Sequence, residues 1–145
     1  MITNPAEIYF KDGQWGWDGT QWRRLNLLWG FYDRLVARAY TESATAGTNT
    51  LAISAVPTGQ VYVATSLAAV DLNNAPTYIA LVLIAGGVEY QLLRTAAPAA
   101  GVVVSLQGQI VAKAGDVLRA NLGGCTLNDD IYFWVAGYIM QVNLG

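Results

Sequence analysis

From Thr50 to Met140 the sequence keeps repeating one arrangement: a strand-length segment rich in β-branched and aromatic residues, then a few residues that favour a turn. Thr50 to Ser54 is followed by Val56-Pro57-Thr58-Gly59, which places a proline at the first central position of a β-turn. Val61 to Asp71 is closed by Asn73-Asn74-Ala75-Pro76. Thr77 to Ala85 and Val88 to Leu93 flank Gly86-Gly87, a two-residue hairpin signal because both glycines accept positive φ. Gly101 to Leu106 and Gln109 to Ala112 lie on either side of Gln107-Gly108. Lys113-Ala114-Gly115-Asp116 spells another tight turn, and Val117 to Leu122 alternates into Gly123-Gly124. Ile131 to Met140 then follows Asn128-Asp129-Asp130. Helices do not alternate with these segments, as a parallel sheet would require. The fold class is therefore all-β: an antiparallel β-sandwich or jelly roll of about eight strands, with immunoglobulin-like topology as the competitor.

Residues 1–42 follow a different logic. Ile8 to Lys11, Gln14 to Trp17 and Gln21 to Arg24 are separated by Asp12-Gly13 and Asp18-Gly19, two copies of a hairpin dipeptide, and together they predict a small three-stranded β-meander. Four of the five tryptophans lie here, as do ten of the eighteen charges. So small a meander is marginal by itself, and its aromatic face must pack on something. Leu27, Leu28, Phe31 and Leu35 fall at helical spacing, but Gly30 interrupts them and Leu35 to Thr41 also reads as an alternating strand. An extended arm entering a first sandwich strand near Arg34 to Thr41 is expected. The chain thus divides into a Trp-rich arm over residues 1–42 and a sandwich domain over residues 43–145, with the change of composition falling in Thr41 to Thr50.

Composition narrows the function classes. With 54% hydrophobic and 12% charged residues, against a usual charged fraction of about 25%, the 145-residue chain can bury one substantial core. A net charge of −2 gives no field favouring nucleic acid. Histidine is absent and Cys125 is the only cysteine. That removes the commonest general base and transition-metal ligand, together with any intrachain disulfide or thiolate zinc site. No cofactor and no metal is expected. The start, Met1-Ile2-Thr3-Asn4-Pro5-Ala6-Glu7, lacks the basic and apolar runs of a secretory signal. The longest apolar run, Tyr78 to Ala85, is strand-length, well short of the ~18 residues that span a membrane. Neither export nor a membrane partner is expected.

Few residues offer chemistry. Asp129-Asp130 is the only adjacent acidic pair and reads as a loop cap, because two oxygen donors fall short of a calcium site and neighbours on a strand point to opposite faces. Cys125 has no histidine to activate it and reads as a small buried residue. Gly86-Gly87 and Gly123-Gly124 lack the Lys-Ser/Thr of a phosphate loop and read as turns. No carboxylate pair suggests a glycosidase, and an enzyme is not expected. Five acids offset the arm's five basic side chains, so Arg23, Arg24, Arg34 and Arg38 suit protein contacts better than phosphate. The outstanding feature is the cluster Trp15, Trp17, Trp22 and Trp29. It is either a mini-core beneath the meander or, with Arg23, a set of partner-binding anchors, since Trp and Arg dominate interface hot spots. A sugar platform assisted by Gln14, Asp18 and Gln21 is a third use.

The segments Val56-Pro57-Thr58-Gly59-Gln60-Val61-Tyr62-Val63, Ala75-Pro76-Thr77, Gln107-Gly108-Gln109-Ile110-Val111, Gly115-Asp116-Val117-Leu118-Arg119 and Gly124-Cys125-Thr126-Leu127-Asn128-Asp129-Asp130 resemble the β-sandwich module of tailed-bacteriophage virion proteins. The ribbon Trp17-Asp18-Gly19-Thr20-Gln21-Trp22 shares the resemblance, which covers most of the chain and is carried by turn-and-strand patterns. It implies a structural virion role. One sandwich with an N-terminal arm looks most like a capsid decoration, or cement, protein. That resemblance implies a major capsid protein as partner, self-association as a homotrimer at local symmetry axes, synthesis in the host cytoplasm and residence on the capsid surface. Trp15, Trp17, Trp22, Arg23 and Trp29 would then dock on the shell. A tail or fibre module binding host-surface glycans is the alternative.

Overall fold

The computed structural model describes residues 15–17, 20, 22–24 and 32–142. Among them there is no helix. The strands are β1 (Trp15–Trp17), β2 (Trp22–Arg24), β3 (Tyr32–Thr41), β4 (Gly47–Ala52), β5 (Gln60–Asp71), β6 (Tyr78–Ala85), β7 (Val88–Ala96), β8 (Val104–Ala112), β9 (Val117–Cys125) and β10 (Ile131–Gln141). β1 and β2 form an antiparallel ribbon that sets Trp15 opposite Arg24, Gly16 opposite Arg23 and Trp17 opposite Trp22. The strand expected over Ile8 to Lys11 lies outside the described residues.

The other eight strands make two four-stranded antiparallel sheets, in the orders β3-β10-β5-β8 and β4-β9-β6-β7. Of these eight, only β6 and β7 are consecutive neighbours in one sheet; every other connection among them crosses between sheets. This is the jelly-roll arrangement of paired Greek keys, not the immunoglobulin one. β3 pairs with β10 along its whole length, from Tyr32 opposite Met140 to Thr41 opposite Ile131. The first sheet therefore begins at Tyr32, ahead of the 42/43 division that composition suggests.

The core lies between the sheets because alternate residues of each strand turn inward. Leu67, Ile131, Phe133 and Val135 of the first sheet and Ile79, Leu81, Leu118 and Leu122 of the second are fully buried. Cys125 joins this cluster as the small apolar residue its sequence context suggests. The Gly86-Gly87 turn joins β6 to β7 with φ of +59° and +76°. Lys113 to Asp116 is also a turn, closed by a 2.9 Å bond from Asp116 N–H to the Lys113 carbonyl.

Three turn readings need correction. Gly123-Gly124 lies inside β9, not in a turn after it. A Cβ on Gly123 would overlap the Tyr78 ring and one on Gly124, at φ +69°, would overlap the Thr77 side chain, so these glycines serve close packing where the β4–β9 register shifts. Gln107-Gly108 does not divide two segments either: Ala64 pairs with Ile110 and Ser66 with Gln107, which makes this stretch of β8 a bulge within one strand. The turn before β5 is shifted by one residue. Gln60 N–H donates to the Pro57 carbonyl at 3.2 Å, so Pro57 occupies the first position and Gly59, at φ +81°, the second central one.

Candidate functional site

The outer faces of the two sheets differ in chemistry. On the β4-β9-β6-β7 sheet, register places Ala80 between Arg94 and Asn121, and Val82 between Gln91 and Arg119. Both small apolar residues are buried, and three of the long side chains around them are engaged. Arg119 forms an ion pair with Glu89, Asn121 Nδ2 donates to the same carboxylate at 3.1 Å, and the Arg94 guanidinium lies 4.0 Å from the centre of the Tyr78 ring. That face carries a polar cluster in which Arg119 Nε and Asn121 Oδ1 are left buried without a hydrogen-bond partner.

The β3-β10-β5-β8 sheet presents aromatic and aliphatic groups instead. Its outer rows run Tyr40–Tyr132–Val70, Arg38–Trp134–Ala68–Ser105, Val36–Ala136–Ser66–Gln107 and Arg34–Tyr138–Val63–Val111. Tyr132 stacks on Tyr40, with centroids 5.5 Å apart, and on Trp134 at 5.6 Å; both pairs are within 10° of parallel. Arg38 lies 4.6 Å from the centre of the Tyr40 ring. Tyr132 Oη donates to Glu42 Oε1 at 3.2 Å. Partial desolvation, then the Glu42 carboxylate, pushes the Tyr132 phenol above its ordinary range, so it stays a neutral donor. Despite this mutual stacking, Val36 is 67% exposed, Tyr40 48% and Trp134 37%. Ala136 follows Trp134 on the same face and is too small to fill the space beside it. A hollow of about 340 Å3 results, lined by Val36, Ala37, Arg38, Trp134, Val135 and Ala136.

β10 holds this array in place. It is the second strand of the sheet, paired on both sides, so its outward residues sit between those of β3 and β5. Gly137 lets it approach β5 closely at a bulge: a Cβ there would overlap the Val63 carbonyl oxygen. The Thr65 hydroxyl donates to the Ala136 carbonyl at 3.3 Å across the same irregularity.

The acidic residues have other work. Asp129 Oδ1 accepts from Asn74 Nδ2 at 2.5 Å and Oδ2 from the Thr126 N–H at 2.7 Å, which is the loop cap its sequence context suggests. Asp71 Oδ1 accepts from the N–H groups of Asn73 and Asn74 at 3.1 and 3.2 Å. Both carboxylates are 1% exposed. Among the described residues no group of three acidic or cysteine side chains is placed to hold a metal ion, and no helix is long and apolar enough to cross a membrane.

Of the predicted anchors, Trp15, Trp17, Trp22 and Arg23 lie on the β1–β2 ribbon, where register brings Trp17 opposite Trp22; Trp29 lies outside the described residues. The array of Tyr40, Tyr132 and Trp134 was not among them. Its signal was present in Ile131 to Met140, where residues of both parities are apolar or aromatic, as in a strand covered on both faces. No protein-family model matches the chain, and no curated protein matches it. Among solved structures it is similar to a family 32 carbohydrate-binding module from C. perfringens NanJ, solved in complex with galactose. The identity is 12% over 70% of this chain and 93% of that one, with a TM-score of 0.39. That likeness carries no functional inference.

Proposed function

We propose that this chain is a non-enzymatic structural protein of a tailed-bacteriophage virion, a capsid decoration protein that docks on the assembled major-capsid-protein shell. The observation that carries the reading is the stacked aromatic array of Tyr40, Tyr132 and Trp134 on one sheet face, with Tyr40, Trp134 and the neighbouring Val36 exposed to solvent. Protein interfaces have this anatomy: an aromatic and aliphatic centre beside polar groups, here Arg34 and Arg38 on β3 and Glu42 just after it. Tyr132 lies nearly parallel to both Tyr40 and Trp134. With Val36 beside it, the array joins aromatic and aliphatic surface, the composition of an interface centre. The turn-and-strand resemblance to phage virion modules supplies the identity of the partner.

In this reading the Trp-rich arm, with Trp15, Trp17, Trp22, Arg23 and Trp29, is a second contact, and the protein sits as a homotrimer at local symmetry axes of the capsid surface. It acts by linkage. A protein that binds only the assembled lattice stabilises that state in proportion to the logarithm of its concentration over Kd.

The test is binding of purified protein to shells lacking it, followed by sedimentation. Trp134→Ala combined with Tyr40→Ala is expected to weaken binding by about 2 kcal/mol or more, roughly thirty-fold, with the sandwich still folded. Unchanged binding by that variant would contradict the reading. A second reading, a glycan-binding module of a tail or fibre, is favoured by one observation: the hollow beside Trp134 combines an indole, an arginine and an apolar floor. It predicts quenching of Trp fluorescence by a polysaccharide, lost in Trp134→Ala, and a glycan array without hits removes it.

A further inference from the structure

At one end of the sandwich, four connections converge on two buried aspartates. Ala44, after β3, donates its N–H to the Asp129 carbonyl at 3.1 Å and accepts from the Asn128 N–H at 2.8 Å. Gly101, before β8, donates to the Asp71 carbonyl at 2.7 Å; Leu72, after β5, donates to the Asp130 carbonyl at 3.0 Å. The Asp130 N–H returns a 2.6 Å bond to Asn73 Oδ1.

Between these loops the buried side chains of Asp71 and Asp129 share Asn74, which donates its backbone N–H to the first and its Nδ2 to the second, and their hydrogen bonds are unequal. Asp129 has a donor on each carboxylate oxygen. Asp71 has two donors on Oδ1 and none on Oδ2, which is completely buried. An ionised oxygen left without a donor beside another carboxylate is among the costliest arrangements a protein interior can hold, whereas a protonated one becomes the donor.

We infer that Asp71 is a neutral carboxylic acid whose Oδ2–H donates to the Asp129 carboxylate, forming a proton-dependent clasp between the β5–β6 and β9–β10 loops. Loss of the proton puts two negative charges side by side and loosens that end of the sandwich. The titratable group acting on Asp71 is Asp129, on the β9–β10 loop, while Asn73 and Asn74 contribute backbone amides; Asp71 in turn acts on the Cys125 thiol at the end of β9, where Asn49 of β4 also reaches. Burial, and then Asp129, moves the Asp71 carboxyl upward from its ordinary 3.8. Burial pushes the Asp129 carboxyl up as well, but the bonds from Asn74, Thr126 and Asp71 outweigh it and hold this carboxyl below 3.8. The sign follows from linkage. Asp71, raised on folding, contributes stability that is fully present below 3.8 and is lost as pH climbs through its folded value.

The experiment compares the melting temperature of the full chain and of Asp71→Asn between pH 4 and pH 8, a range below the Cys125 thiol, which burial holds above 9.0. Asn keeps the Oδ1 acceptor and supplies a permanent donor in place of Oδ2–H. The two proteins are expected to melt together at pH 4, and the variant to melt progressively higher as pH rises. Parallel curves would overturn the inference. The unsubstituted protein supplies a second readout by infrared spectroscopy: one protonated-carboxyl band should persist where exposed carboxylates have already ionised. Absence of that band overturns the clasp, as does a calcium-dependent rise in melting temperature reversed by chelation, which would assign Oδ2 to a cation instead.

Discussion

Asp129 and Gly137 show how much of this fold rests on single groups. Asn74→Ala removes the Oδ1 donor of a buried carboxylate and is expected to cost about 1.5–3 kcal/mol at neutral pH, the range for hydrogen bonds to charged groups. Asp129 is held below its ordinary 3.8, so its stabilisation is present above that pH and lost as pH falls through its folded value. Unfolding measured between pH 4 and pH 2 should therefore show a smaller acid loss in Asn74→Ala than in the unsubstituted protein. Gly137→Ala places a Cβ against backbone that cannot move aside, at the level of the Val63 carbonyl. A cost of about 1–3 kcal/mol, or more, is expected in denaturant titration. Sequence reading reached Asp129 and Cys125 at this scale, because local turn and composition rules governed both. Asp71 was not legible: it looked like the polar end of a strand, and only tertiary packing against Asp129 and Gly101 encloses it.

Strand boundaries were legible wherever a turn announced itself chemically. Gly86-Gly87 ends β6 and starts β7 at the predicted residues, since both positions need positive φ that other residues adopt at a cost. Replacing either glycine by alanine is expected to lower stability by about 1–2 kcal/mol, read from the unfolding midpoint. The same logic misplaced Gly123-Gly124 and Gln107-Gly108. There glycine answers to a neighbouring strand or a bulge, and sequence alone does not distinguish that demand from a turn. β10 was legible as a strand, but the use of its outer face was not. Tyr132 and Trp134 become an array only when β10 pairs with β3, which brings Tyr40 and Arg38 beside them from the far end of the sequence.

For the whole molecule, the eight-stranded sandwich follows from the period-two pattern of Leu67, Phe133 and Leu118 and their neighbours, which can be buried together only between two sheets. Jelly-roll order was one of two predicted topologies, and long-range pairing of β3 with β10 and β4 with β9 decides between them. Because β3 starts at Tyr32, deleting residues 1–30 leaves every sandwich strand intact. The truncated protein is expected to unfold cooperatively near the full-length midpoint and to lose shell occupancy; undiminished occupancy would remove the arm from the docking account. The direct test of docking is cryo-electron microscopy of shells reconstituted with the full chain. The account predicts many copies per shell, seated with Tyr40, Tyr132 and Trp134 against capsid subunits. Copies confined to a tail, or seated with that sheet face open to solvent, would contradict it.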